Sequence, residues 1–558
     1  MQTWLKDLLR GALLVAFFVS TLFLSSFSER VFLSPDESAN FYFAQTFGNT
    51  GELSAPVMPD SGTRGNLNTE VLHPRSIVAV GERLLPGSFL GLPLLAGAVY
   101  RFAGDTGALL VTPFLALLAV LAFRSVINKL FEDEALADLS ALFLMIHPSF
   151  LYFSGRVMLH NVAFLAFVIF GLYFAVARPL GLKSVLAKDF RRIEFFLAGT
   201  MIGTALLIRT AEAPWVIPVF AILLIVYRNE LGWRNIFYSL LGFGALCVVI
   251  LGMNSWVYGS MLTTGYTVHV SAPVATVISS TASDSTLSHP LSPFLTFSLP
   301  FGLHPRAILR NFWSYGIVLY PWMTIPSLLG ALLLIVRKFE KKKAWKVLFA
   351  ITVFVSAWLV AFYGSANIHD NPDLKIISIG NSYVRYWLPM FALSMPFAGY
   401  LFISAWRYIS IRYEMYKMYK MAWRAMLAVL VLAGCVNSTD LVLNGHDGLI
   451  ESRSALNSFI SKRYQILSHT ELNSIIVVDR ADKYLFPKRA VVTPLRDDQT
   501  YSALPALVAH APTYYFGITF PQTDLDFLNN ERFKADELRF ELVQTMDEES
   551  LYRITKSK

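Results

Sequence analysis

Residues 8–44 read LLRGALLVAFFVSTLFLSSFSERVFLSPDESANFYFA. The apolar run from Leu8 to Phe27 is long enough to cross roughly 30 Å of hydrocarbon as a helix, and the acidic pair Asp36-Glu37 follows just beyond it. Lys6 and Arg10 at the start of the run favour a cytoplasmic N-terminus. The run is too long for the apolar core of a leader, and no small-residue cleavage site stands out, so it reads as a retained first span. Similar runs recur near 107–123, 138–153, 161–178, 194–209, 211–227, 236–258, 313–336, 346–364, 385–406 and 425–442. The chain is 55% hydrophobic and 15% charged, with a mean hydropathy of +0.50, so a bilayer must supply most of its solvent. The expectation is an all-α polytopic membrane protein of about 11–13 transmembrane helices over residues 1–442. Residues 443–558 are ordinary mixed sequence and read as a small soluble α/β domain. Within it, Ser474–Val478 and Arg489–Val492 read as strands and 524–546 as mainly helical.

The basic loops fix the orientation. Lys183, Lys188, Arg191 and Arg192 form one cluster; Arg337, Lys338, Lys341, Lys342 and Lys343 a second; Arg407, Arg412, Lys417 and Lys420 a third. All three fall on the cytoplasmic side if the N-terminus is inside and the Gly/Pro-interrupted segment 85–103 lies at the interface instead of crossing. If 85–103 crosses, every later loop changes side. The first arrangement places three features outside: a first loop at 28–84, a second near 259–310 that is rich in Ser, Thr and Pro, and the C-terminal domain. The protein is expected in the inner (plasma) membrane with those parts periplasmic or extracellular. Tyr413, Tyr416 and Tyr419 beside Lys417 and Lys420 read as an interfacial helix on the cytoplasmic side.

Asp36 and Glu37 suit two roles. Ser34 ahead of them makes a helix cap, where acids are favoured, and a carboxylate at a membrane surface is equally placed for acid–base chemistry. Other polar residues fall at the same expected depth: Arg156 and His160 in one short turn, Arg209 and Glu212 between two spans, and Arg385 at the outer start of another. Charges near the hydrocarbon boundary are costly unless paired, snorkelling or lining a polar cavity. Guanidinium forks match phosphate oxygens, which makes Arg209, Arg385 and Arg156 candidates to hold a lipid phosphate, with an internal Arg209–Glu212 salt bridge as the competing reading. Trp256, Tyr258 and Tyr266 suit a sugar face, a lipid chain or an interfacial aromatic belt.

These motifs in this order resemble the GT-C superfamily. The resemblance rests on Asp36-Glu37 after the first span, Ser154-Gly155-Arg156 with Asn161 opening a later span, and Arg209 at a tight turn. It extends through Asn254, Tyr258-Gly259-Ser260 and Thr264-Gly265-Tyr266 to Arg385-Tyr386-Trp387-Leu388-Pro389, covering most of residues 1–410. Within the superfamily the chain is most similar to the protein O-mannosyltransferase and aminoarabinose transferase group. The resemblance implies transfer of a sugar, with inversion, from a polyprenyl-phosphate-linked donor to a hydroxyl or amine of a lipid, glycan or protein acceptor on the outer face. It implies Asp36 as the base with Glu37 beside it, and Arg156, His160, Asn161, Arg209, Glu212, Tyr266, Arg385 and Tyr386 as substrate-binding residues. Relatives commonly carry an acid where this chain has His160-Asn161. Asn161 takes no proton and adds no charge to a metal site, which speaks against a two-carboxylate metal arrangement, although Glu212 supplies a nearby charge.

No cofactor is expected. His73, His160, His269, His289 and His304 lack ligand spacing, and Cys247 and Cys435 lie far apart within apolar runs. The net charge of +8 is carried by short loops between apolar runs and acts as a topology signal, so membrane lipid and not nucleic acid is the expected partner. A transporter or flippase of lipid-linked glycans is the main rival class, but the chain has no internal repeat and no matched pair of broken helices. A glycan polymerase or ligase, or a non-catalytic relative, are nearer alternatives.

Overall fold

The computed structural model describes residues 2–24, 29–57, 69–176, 187–268, 301–366, 368, 370, 376–412 and 417–556. Lys183 of the first basic cluster, the stretch 269–300 with His269 and His289, and Tyr413 and Tyr416 lie outside the described residues. The chain divides into two compact units. One comprises 1–25, 112–249 and 285–451, and the other 26–111, 250–284 and 452–558.

The first unit is helical. α1 spans Gln2–Thr21, and α3, Gly91–Phe131, contributes its later part here. α4 (Glu134–Ile146) and α5 (Pro148–Ser154) meet at a 61° bend where Pro148 removes a backbone donor. Arg10 of α1 donates to Asp138 and Glu134 of α4, tying the first helix down. There follow α6 (His160–Val176), packed along α7 (Ala187–Ile208), then α8 (Ala213–Val226), α9 (Arg228–Leu231) and α10 (Trp233–Tyr258). α11 (Pro305–Phe312) and α12 (Pro321–Val336) precede α13 (Lys343–Gly364), the short α14 (Ser382–Tyr386), α15 (Leu388–Arg412) and α16 (Lys417–Asn444). Among the described residues, five helical stretches are long and apolar enough to cross a membrane, or up to eight if each bent pair is one span. α6 is apolar but shorter, and the α7–α8 pair is bent by 114°.

The second unit is mixed. α2 (Pro35–Thr50) starts with a capping box: Ser34 Oγ accepts from Asp36 N, and Glu37 Oε2 accepts from Ser34 N at 3.1 Å. Pro35 suits the first turn, and Gly51 ends the helix in the left-handed region at φ 79°. β1 (Ala55–Pro56), β2 (Ile77–Val80) and β3 (Arg83–Pro86) form an antiparallel sheet in the order β1-β3-β2. Ile77, Ala79 and Leu84 pack with Ala39, Phe43 and Leu53 into one core. Thus Leu85 and Pro86 of the ambiguous 85–103 segment belong to β3, and 91–103 to the first arm of α3, which breaks at Gly104 (φ 59°, ψ −157°).

After α17 (Leu449–Ser468) comes a five-stranded sheet ordered β5-β4-β6-β8-β7. β4 (Ile475–Val478) runs parallel to β5 (Ala490–Val492) and β6 (Thr513–Ile518), while β7 (Leu538–Met546) and β8 (Glu549–Lys556) are antiparallel. β4 is buried along its whole length, as a central parallel strand requires. The helices between are α18 (Asp482–Leu485), α19 (Asp498–His510) and α20 (Gln522–Phe527). The helical expectation for 524–546 is corrected: helix stops after a turn at 528–532, and the alternation of Leu538, Arg539, Phe540 and Glu541 pairs with β8 as a strand. Val71 and Leu72, from the segment between α2 and α3, are buried in the core of this sheet domain.

Candidate functional site

Asp36 stands at the second position of α2, half-buried, and its Oδ1 accepts from Ser76 Oγ at 2.6 Å. Glu37 is 3% exposed and its carboxylate closes the capping box. The acidic pair therefore divides its labour: Glu37 orders the helix start, and Asp36 is held by a hydroxyl from another loop.

Ser76 sits in the left-handed region, φ 62°, which a residue with a Cβ adopts only when its surroundings enforce it. They do so from two sides. Gly87 donates its N–H to Ser76 O at 3.0 Å, and a Cβ at Gly87 would lie 2.8 Å from the Ser76 carbonyl, so only glycine permits the approach. Gly265, in the segment that follows α10, lies over Gly87 so closely that a Cβ would meet its backbone at 2.5 Å. Tyr266 beside it is exposed, with its ring 5.1 Å from Phe89.

From the other side, Arg75 is clamped by Asp482 of α18. Arg75 N donates at 2.9 Å, Nη2 at 2.6 Å and Nε at 3.1 Å to this fully buried carboxylate. Ser38, in the first turn of α2, donates to Lys483 O at 2.6 Å, and Lys483 Nζ donates to Leu33 O at 3.2 Å. Burial, with Glu549 and Asp482 close by, pushes the Tyr484 phenol up, so it stays neutral. The sheet domain thus grips the loop and helix that carry Asp36. Sequence reasoning missed Ser76, Arg75 and Asp482, and nothing in their spacing signals the contact.

In the helical unit, Arg209 lies between α7 and α8 and is buried with Glu212. Its Nε donates to Glu212 Oε1 at 2.6 Å and its Nη2 to Tyr363 OH at 2.8 Å; Tyr363 OH in turn donates to the same carboxylate oxygen at 2.6 Å. Trp215 Nε1 donates to the other oxygen. Tyr386 covers the guanidinium at 4.7 Å and stacks on Tyr363 at 4.4 Å. Of the expected residues, this arrangement unites Arg209, Glu212 and Tyr386; Tyr363 and Trp215 are additions. Arg209 spends much of its hydrogen-bonding capacity on this cage. Arg385 is half-buried at the end of α14, with Nη2 donating to Ser382 Oγ at 3.0 Å. Arg156 is buried beside Tyr152, whose hydroxyl accepts from its Nη1 at 3.3 Å. His160 and Asn161 are buried in the first turn of α6. Among the described residues, no three His, Cys, Asp or Glu side chains converge as metal ligands.

No family model matches the chain, and no curated protein matches it in sequence. Solved structures do. ArnT from Cupriavidus metallidurans bound to undecaprenyl phosphate superposes with a TM-score of 0.52 at 13% identity, over 99% of this chain and 98% of that one. The apo form of the same protein gives 0.51 at 14% identity, with the same coverage. The archaeal oligosaccharyltransferase AglB from Archaeoglobus fulgidus, in complex with an inhibitory peptide and a dolichol-phosphate, gives 0.52 at 10% identity over 100% of this chain and 75% of that one. The chain shares the fold of these solved structures.

Proposed function

We propose that this protein is a membrane glycosyltransferase that moves a sugar from a polyprenyl-phosphate carrier to a hydroxyl or amine of an acceptor, with Asp36 as the base. The observation that carries the reading is the Asp36 carboxylate held by Ser76 just past the first apolar helix, on a fold shared with a protein solved with undecaprenyl phosphate. A base must lie within hydrogen-bond reach of the acceptor group and keep its orientation while the nucleophile moves, and the Ser76 contact supplies that orientation.

In the proposed step the acceptor oxygen or nitrogen attacks the anomeric carbon from the face opposite the carrier. The bond from that carbon to the phosphate oxygen breaks, and its electron pair leaves on the phosphate. The acceptor proton passes to Asp36, and the anomeric centre inverts. Charge accumulates on the departing phosphate, which Arg385 and Arg156 are assigned to stabilise through their guanidinium forks. Arg209, which Glu212 and Tyr363 engage, is proposed as a third such guanidinium. The reading takes Asp36 to face the outer side of the membrane, and the basic clusters at 337–343 and 407–420, as cytoplasmic signals, support it.

Comparing lipid-linked glycans from cells with and without the protein tests the reaction class. Accumulation of one polyprenyl-phosphate sugar on deletion is the expected result and names the donor. An unchanged carrier pool together with unchanged envelope glycans contradicts the reading.

A further inference from the structure

α1, α3, α4 and α15 line a cavity of about 1110 Å³ that lies wholly within the first unit. Its lining changes character along its length. On α1 the charged Lys6, Asp7 and Arg10 give way to Leu13 and Leu14, and on α4 Glu134 and Asp138 give way to Leu139, Leu142 and Met145. α3 runs the other way, from Val120 and Leu121 to Arg124 and then Glu132 in the turn beyond it, and α15 likewise runs from Ile403 to Arg407. The charged ends coincide in space. Arg10 donates to Glu134 at 2.7 Å and to Asp138 at 2.6 Å, Arg124 donates to Asp138 at 2.6 Å, and Arg407 lies 2.6 Å from Asp133. The cavity is therefore charged at one end and apolar at the other.

That gradient narrows the occupant to an amphiphile. From Glu134 to Met145 the wall follows α4 for about 16 Å of helix rise, roughly half the thickness of a bilayer's hydrocarbon core. This is the depth of one leaflet. Leu121 is 40% exposed on a helix long and apolar enough to cross a membrane, so the apolar half opens sideways to hydrocarbon.

The charged end offers both signs. Lys342 Nζ donates to Phe131 O at 3.0 Å and Arg407 Nη2 to Asp133 Oδ2 at 2.6 Å, so an ammonium and a guanidinium flank the turn 131–133 with further N–H donors to give. Such a pair suits a phosphate. Asp7 and Glu134 meet Arg10 through one oxygen each while their side chains stay 71% and 55% exposed, which leaves both carboxylates able to accept from an amine.

We propose that this cavity seats one glycerophospholipid whose headgroup joins a phosphate to a primary amine. The phosphate lies at Lys342 and Arg407, the amine at Asp7 and Glu134, and an acyl chain along Leu13, Leu139 and Leu142. A quaternary amine gives no N–H to the carboxylates, and a polyprenyl phosphate brings no cation at all. The seat stands apart from the transfer step and does not depend on it.

The full chain is reconstituted in nanodiscs of equal parts phosphatidylethanolamine, phosphatidylcholine and phosphatidylglycerol with a trace of undecaprenyl phosphate, then released for native mass spectrometry. One phosphatidylethanolamine per chain should stay bound, retained at least fivefold over each other lipid. A phosphatidylethanolamine with a photoreactive acyl chain should label residues 9–14 or 136–145. Lys342→Gln and Arg407→Gln should each lower retention at least threefold. Leu139→Trp fills the apolar half and leaves the charges in place, and it should remove retention and labelling together; it decides the matter if a charge variant does not fold. Preference for any other lipid, equal retention of all, no bound lipid, labelling elsewhere, or retention unmoved by Leu139→Trp overturns the proposal.

Discussion

Two buried ion pairs, one in each unit, show how differently a fold can spend charge. Arg209 and Glu212 are three residues apart, both almost completely buried, and enclosed by Tyr363, Tyr386 and Trp215. Arg75 and Asp482 are separated by 407 positions; the acid is fully buried while the arginine side chain remains 39% exposed. The local pair locks the junction of two helices and is satisfied by its own neighbourhood. The distant pair fastens the loop that carries Arg75 to the C-terminal sheet domain, next to the serine that holds Asp36. Position in the chain therefore separates a pair that stabilises its own turn from one that transmits order to a proposed base.

The comparison can be broken by removing one partner at a time. Glu212→Gln leaves a guanidinium buried without its counter-charge, and a loss of about 3–5 kcal/mol in stability is expected, read as a large drop in melting temperature of the purified protein. Asp482→Asn should cost less, about 1–3 kcal/mol, because Arg75 reaches water. It should also loosen residues 69–80 in hydrogen exchange, which Glu212→Gln should not do. Equal protection of that loop in both variants would erase the distinction drawn here. Ser76→Ala removes a hydrogen bond to a charged carboxylate, typically about 1.5–3 kcal/mol. Roughly a tenfold or greater fall in kcat with little change in carrier affinity is expected; a fall in affinity alone would move Ser76 out of the base's support.

The smallest effect belongs to an exposed pair. Arg553 and Glu471 lie 3.4 Å apart with both side chains nearly half-exposed, and such pairs add little. The Tyr514 hydroxyl, donating at 2.7 Å, holds the Glu471 carboxyl below the usual carboxylate range, and burial with that same contact pushes the Tyr514 phenol up to about 12. A depressed carboxyl contributes stability above its unfolded pKa and loses that contribution as pH falls through its folded value. Tyr514→Phe should therefore lower the melting temperature slightly at neutral pH, and the difference from the unaltered protein should vanish in acid. A difference that grows in acid would contradict the sign.

Much of the helical unit was legible because length and apolarity alone define a span, and because charged loops sit between the runs. The capping box was legible too, since Ser34 and Glu37 carry its spacing. What spacing could not say is that Glu37 is consumed by the cap while Asp36 is not. Arg209 with Glu212 was readable as a pair from its i, i+3 separation, whereas Tyr363 arrives from a helix 151 positions later than Glu212. Arg75 with Asp482, and Val71 with Leu72 inside the sheet core, depend on chain reversals between distant segments and leave no local pattern. The strand at 538–546 was misread because its alternation breaks at Leu542–Gln544, where the pairing with β8 shifts register and Leu542 and Val543 are exposed.

The account depends most on Asp36, and one substitution addresses it directly. Purified full-length protein carrying Asp36→Asn is assayed in lipid for sugar transfer from the donor named by the carrier profile, alongside binding of undecaprenyl phosphate. Transfer should fall about 10²–10⁴-fold, the usual contribution of a positioned general base, while the carrier binds as before. Turnover equal to that of the unaltered enzyme would remove Asp36 from the chemistry and with it the proposed mechanism.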